Sequence, residues 1–88
     1  MGNQMRKIEI TWLDAAYNYS TWERDEIDRK FGLVKLKTVG WLVMEKPDCY
    51  ILAMEHNVDE DTFRHLCAVP KSCIVSIQPA KGQFGVEN

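Results

Sequence analysis

Eighty-eight residues, 45% hydrophobic and 27% charged with a net charge of −2, fit one globular domain and exclude both a two-domain chain and a disordered one. The same slightly acidic balance excludes a protein that coats nucleic acid through bulk charge, because phosphate binding draws on an excess of Lys and Arg. A chain this short buries only about 60–65% of its unfolded surface, so association of copies is expected to supplement its core.

The opening residues, Met1-Gly2-Asn3-Gln4-Met5-Arg6-Lys7, have no apolar stretch behind them and read as a flexible end over 1–6 rather than an export signal. No window approaches the roughly 18 apolar residues that span a bilayer, so a cytoplasmic protein without a membrane partner is expected. Lys7-Ile8-Glu9-Ile10-Thr11-Trp12-Leu13 alternates, with Ile8, Ile10 and Trp12 on one face and Glu9 and Thr11 on the other. That period of two is the signature of a half-buried strand. Asp14 ends it.

Ser20-Thr21-Trp22-Glu23 has the form of a capping box and predicts a helix over 21–31, closed by Gly32. Asp25 with Arg29, and Glu26 with Lys30, are spaced i,i+4 with the acid first, the favourable order. The apolar stripe is narrow, Trp22, Ile27 and Phe31, which predicts a helix lying across one end of a sheet.

From residue 33 onward the chain reads as a meander. Residues 33–45 make a long strand that bends at Gly40, and Lys46-Pro47-Asp48 supplies a turn. A strand over 49–54, an acidic loop over 57–61 and a strand over 63–69 follow. Pro70-Lys71-Ser72-Cys73 is a one-turn connection to a last strand at 74–77, and 79–88 reads as a flexible polar tail. Five closely spaced strands predict a mainly β domain over 7–78, a small five-stranded barrel with one short α-helix between strands 1 and 2. A ferredoxin-like α+β fold needs a second helix, and the only candidate, 58–66, has a poor helical period.

Cys49, Cys67 and Cys73 lie in apolar runs and read as reduced, buried thiols, so Asn18-Tyr19-Ser20 is discounted as a glycosylation site. A zinc site from Cys49, His65, Cys67 and Cys73 lacks paired Cys spacing, and a dyad of Cys67 or Cys73 with His56 or His65 lacks an orienting third residue. Asp59, Glu60 and Asp61 read as a solvated loop. Trp12 belongs with Ile8 and Ile10 in the core. Trp41 has two readings, one as core or subunit interface and one as a ring on which a base stacks. In the second, Lys35, Lys37, Arg64 and Lys71 provide cations for phosphate.

The order of features from residue 8 to 77 resembles the Sm-like and SH3-like small β-barrels. The residues that carry this are Thr38-Val39-Gly40-Trp41-Leu42-Val43, Tyr50-Ile51-Leu52-Ala53 and Val69-Pro70-Lys71-Ser72-Cys73-Ile74. Thr11-Trp12-Leu13-Asp14-Ala15, Thr38-Val39-Gly40-Trp41-Leu42 and the last of those stretches more closely resemble small uncharacterised bacteriophage-encoded proteins. The resemblance implies the barrel and a viral source, with the host cytoplasm as location. Sm proteins read RNA through an Asp-x-apolar-Asn element and an Arg-Gly element before the last strand. Pro70-Lys71-Ser72 stands in the second place, with neither arginine nor glycine, and the Tyr-Lys-His-Ala element of the bacterial RNA chaperone is absent.

The expected function is therefore a non-enzymatic, homo-oligomeric binding protein that sequesters a small nucleotide-type ligand of a host defence pathway. Trp41, Lys35, Lys37, Arg64 and Lys71 form its expected ligand site, with no metal and no cofactor. A protein–protein adaptor or inhibitor of a host protein is the alternative, followed by Sm-like RNA binding.

Overall fold

The computed structural model describes residues 5–80. Strands β1 (Lys7–Asp14), β2 (Val34–Glu45), β3 (Cys49–Asn57), β4 (Thr62–Pro70) and β5 (Ile74–Pro79) form one antiparallel sheet in the order β4-β3-β2-β1-β5. The helix α1 (Arg24–Lys30) lies between β1 and β2. The small mainly β domain with a single helix is as the sequence indicates. No ladder joins β4 to β5 among the described residues. The helix is neither long nor apolar enough to cross a membrane.

The alternation in β1 does what it predicts. Ile8, Ile10 and Trp12 are buried, and with Leu52 and Val69 they make the core. Leu36, Leu42, Tyr50, Cys67, Cys73 and Ile74 pack against it, so side chains from every strand reach one cluster. The indole N–H of Trp12 donates to Thr38 Oγ1 at 2.9 Å, which satisfies the one polar atom the ring carries inward. Glu9 departs from expectation. It sits on the other face yet is only 6% exposed, because β1 is flanked on both sides, by Val39 of β2 and Gln78 of β5. The Gln78 amide donates to its Oε2 at 3.0 Å and Lys37 Nζ lies 3.4 Å away, so the buried charge is paired.

β2 is long because it serves two neighbours, β1 along residues 34–41 and β3 along 41–45. At Gly40, where the sequence predicts a bend, the structure shows a close approach of two strands. A Cβ on Gly40 would stand 2.7 Å from the Ala53 carbonyl oxygen, so only glycine lets the strands approach this closely. A register shift between Leu42 and Met44 adds a bulge just beyond.

In the loop after β3, Asn57 Oδ1 accepts from the N–H groups of Asp59 and Glu60 at 3.1 and 3.2 Å, an Asx arrangement that turns the chain. Asp61 finishes that turn in the left-handed region, with φ 54°. His65 also has positive φ, 59°, although it lies inside β4 between the paired residues Arg64 and Leu66. A 3₁₀ turn, Lys71–Cys73, makes the one-turn connection, held by the Lys71 N–H on the Asp48 carbonyl at 2.9 Å. β5 continues to Pro79, and the Ala80 N–H donates to the Lys7 carbonyl at 3.0 Å. Of the ends expected to be flexible, 1–6 and 79–88, residues 1–4 and 81–88 lie outside the described residues, and Pro79 belongs to β5.

The helix needs two corrections. It starts after Glu23, which closes a capping box with Glu26, and the Glu23 N–H donates to Glu26 Oε1 at 3.2 Å. Ser20 is not the cap, because its N–H is held by Asn18 Oδ1 at 2.8 Å and Trp22 Nε1 is anchored on the same oxygen at 2.9 Å. That local clamp delays the helix by a turn. At the other end the chain leaves in extended conformation at Phe31, and Gly32 adopts no left-handed cap. None of the helix residues is buried, and Trp22, Ile27 and Phe31 take no part in the core. The helix stands on an arm, residues 15–33, rather than across the sheet.

Candidate functional site

Trp41 lies where β2 passes from one neighbour to the other, paired with Lys7 on β1 and Ala53 on β3. Its ring is half-buried and borders two clefts. The register with Lys7 places the ammonium of that residue 4.6 Å from the centre of the indole, a cation–π contact.

The first cleft, about 690 Å³, runs along the β3–β4 hairpin between Trp41, Met54, His56, Thr62 and Arg64. Glu60 lines it as well, and its other charged residues are engaged. Arg64 holds Glu55 at 2.8 Å, and this hydrogen bond, then its charge, keeps the Glu55 carboxyl below its ordinary range. His56 stacks on Phe63 with ring centres 4.6 Å apart and meets Asp61 Oδ1 at 2.9 Å.

The second cleft, about 620 Å³, opens at the end of the sheet where β1 begins and β5 ends, between Arg6, Lys7, Trp41, Tyr50 and Gln78. Two aromatic rings, two basic residues and the carboxylate of Glu45 share it. Beside it, Lys71 Nζ lies 5.1 Å from the centre of the Tyr50 ring and 2.7 Å from Glu45 Oε2. The hydrogen bond to Glu45 holds the Lys71 ammonium above its ordinary value, against a smaller opposing effect of burial.

The five residues expected to form one site divide among three places. Trp41 borders both clefts, Arg64 lines the first, and Lys71 stands beside the second. Lys37 is committed to the buried Glu9. Lys35 pairs with Leu13 near the start of β2, roughly 20 Å along the strand from Trp41 at about 3.3 Å per residue. Arg6, Lys7 and Tyr50 complete the aromatic and cationic cleft without having been singled out in the sequence. Their alternation was visible, but the pairing of Lys7 with Trp41 depends on register across a connection of some twenty residues, which no local pattern encodes.

Cys49, Cys67 and Cys73 are free thiols of intermediate burial. Burial, followed by a hydrogen bond with Asp48, pushes the Cys49 thiol up, which keeps it protonated and weakly nucleophilic. Among the described residues no group of three or more His, Cys, Asp or Glu side chains converges as metal ligands would. Comparison with known protein families, curated proteins and solved structures finds no match to this chain.

Proposed function

We propose that this chain is a non-enzymatic, homo-oligomeric binding module for a small, planar, negatively charged ligand of nucleotide type, held in the cleft between Trp41 and Tyr50. One observation carries the proposal: both rings bear a lysine against their π face, Lys7 at 4.6 Å and Lys71 at 5.1 Å, at the same end of the sheet. A base can take the place of an ammonium on either ring, while the displaced lysine and Arg6 meet the phosphate. The volume, about 620 Å³, falls within the ordinary range of small-molecule sites. Gln78, whose amide already serves Glu9, adds a hydrogen-bonding wall. No bond need be made or broken for this function.

We also read the sheet as a small barrel of the Sm/SH3-like kind. Support comes from the core, where Val69 of β4 and Ile74 of β5, at opposite ends of the strand order, pack into one cluster. The likeness to phage-encoded proteins gives the module its setting, withdrawal of a host defence nucleotide from its receptor.

A thermal-shift panel of linear and cyclic nucleotides tests the ligand. A compound at tenfold its Kd adds about 1.4 kcal/mol, enough to raise the Tm of a domain this size by about 6–11 °C. The shift should vanish in Trp41→Ala and shrink in Arg6→Ala. If no nucleotide moves the Tm at concentrations of about 1 mM, the ligand assignment fails.

A further inference from the structure

A carboxylate stands in the cleft proposed for an anionic ligand. Glu45 lines it beside Tyr50, its direct partner across the β2–β3 ladder. Directly opposed residues hold their Cβ atoms about 5 Å apart on one face of the sheet, so a group lying on the Tyr50 ring has an edge within reach of the carboxylate. Lys71 occupies that place in the structure. Its ammonium sits 5.1 Å from the centre of the ring and donates to Glu45 Oε2 at 2.7 Å. A group over Tyr50 is thus asked both to stack and to donate. A base that displaces the ammonium inherits the same neighbour, and one that turns only lone pairs toward it leaves the carboxylate unpaired.

We propose that Glu45 makes the cleft selective for guanine nucleotides, accepting from the N1–H and the exocyclic N2 amino group of a guanine laid on Tyr50. The proposal rests on the nucleotide reading of this cleft and names the base. An ionised carboxylate accepts at two oxygens and donates nothing. Guanine presents two adjacent donors on its pairing edge, so both oxygens are met. Adenine and cytosine set one amino group beside the lone pair of a ring nitrogen, and uracil sets one N–H between two carbonyls. Each of these brings a lone pair against the second oxygen.

The same charge gives the ligand a direction. Glu45 repels phosphate, which turns that end of the ligand toward Arg6 and Lys7. The Arg6 carbonyl accepts from the Leu42 N–H, three residues before Glu45 along β2. At about 3.3 Å per residue that is roughly 10 Å of strand, room for a base and its sugar between carboxylate and cations.

Equilibrium dialysis of the full chain with GMP, IMP and AMP, which carry the same phosphate, tests the assignment. GMP should bind at least about tenfold more tightly than AMP, the worth of one hydrogen bond to a charged group. IMP, which keeps the N1–H and lacks the amino group, should fall between them. Glu45→Gln keeps an acceptor for Lys71 but no longer meets two donors. With an unchanged circular dichroism spectrum, it should bring GMP to within about threefold of AMP. Arg6→Ala should weaken all three alike, because it stands at the phosphate end. Equal binding of GMP and AMP, a preference that survives Glu45→Gln, or a cleft that takes some other nucleotide but not GMP overturns the guanine assignment and leaves the nucleotide reading standing. Binding of no nucleotide, in dialysis or in thermal shift, overturns both.

Discussion

β1 and the arm that follows it are adjacent in the chain and similarly rich in apolar side chains, yet they meet opposite fates. In β1, Ile8, Ile10 and Trp12 are buried and even Glu9 is enclosed. In the arm, Tyr17, Tyr19, Ile27, Phe31 and Leu33 are exposed. The difference lies in neighbours rather than in residue type. β1 is flanked by strands on both sides, whereas α1 is short and its stripe packs closely against no strand among the described residues. Apolar residues stabilise a fold only where something in the same molecule covers them.

Ile10 gives the largest contrast. It is fully buried, so Ile10→Ala should cost about 2–5 kcal/mol in chemical denaturation. Ile27→Ala, measured on dilute monomer, should stay within about 0.5 kcal/mol. Equal losses would erase the distinction between the two regions. Gly40→Ala comes next, because the new methyl meets backbone rather than a side chain that can swing aside, and a loss of about 1–3 kcal/mol is expected. Thr38→Val removes the acceptor of the Trp12 indole and should cost about 1–3 kcal/mol, whereas Asn18→Ala, which frees the exposed Trp22 indole to water, should hardly change the denaturation midpoint.

The smallest effects concern pH and belong to the exposed ion pairs of the sheet. The Glu55 carboxyl is lowered by its hydrogen bond and charge contact with Arg64, so the stability it contributes is present above its ordinary value of 4.5 and lost as pH falls through the folded value. The Lys71 ammonium is raised by its hydrogen bond to Glu45, so its contribution is present below its ordinary value of 10.5 and lost as pH rises through the folded value. Tm profiles of Arg64→Ala and Glu45→Gln should each lose sensitivity at the corresponding end of the pH range and remain unchanged at the other.

What was legible in the sequence was set by local physics. The alternation of 7–13 located β1 and its core face, Gly40 marked a point where two strands approach closely, and the turn chemistry at 46–48, 57–61 and 70–73 punctuated the meander correctly. The helix was visible but its start was not, because Asn18 competes for the Ser20 N–H through a contact that no capping pattern includes. The candidate site was legible in kind and not in membership. Aromatic rings with cations do meet, but Lys7, Arg6 and Tyr50 replace Lys35 and Lys37, since cross-strand register decides which residues face each other. The placement of the helix on an arm was hidden for a related reason. A narrow apolar stripe says that something covers it, not what.

His65 has a consequence for how copies of this protein meet. β4 and β5 end the strand order, and any stretch of their outer backbone that the packing of the two strands leaves uncovered is where a foreign strand can add. The left-handed residue in the middle of β4 interrupts such a stretch, and Pro79 at the end of β5 has no N–H to offer. A strand adding along β4 would meet a break in register at its middle, and one adding along β5 would find no donor at its last residue.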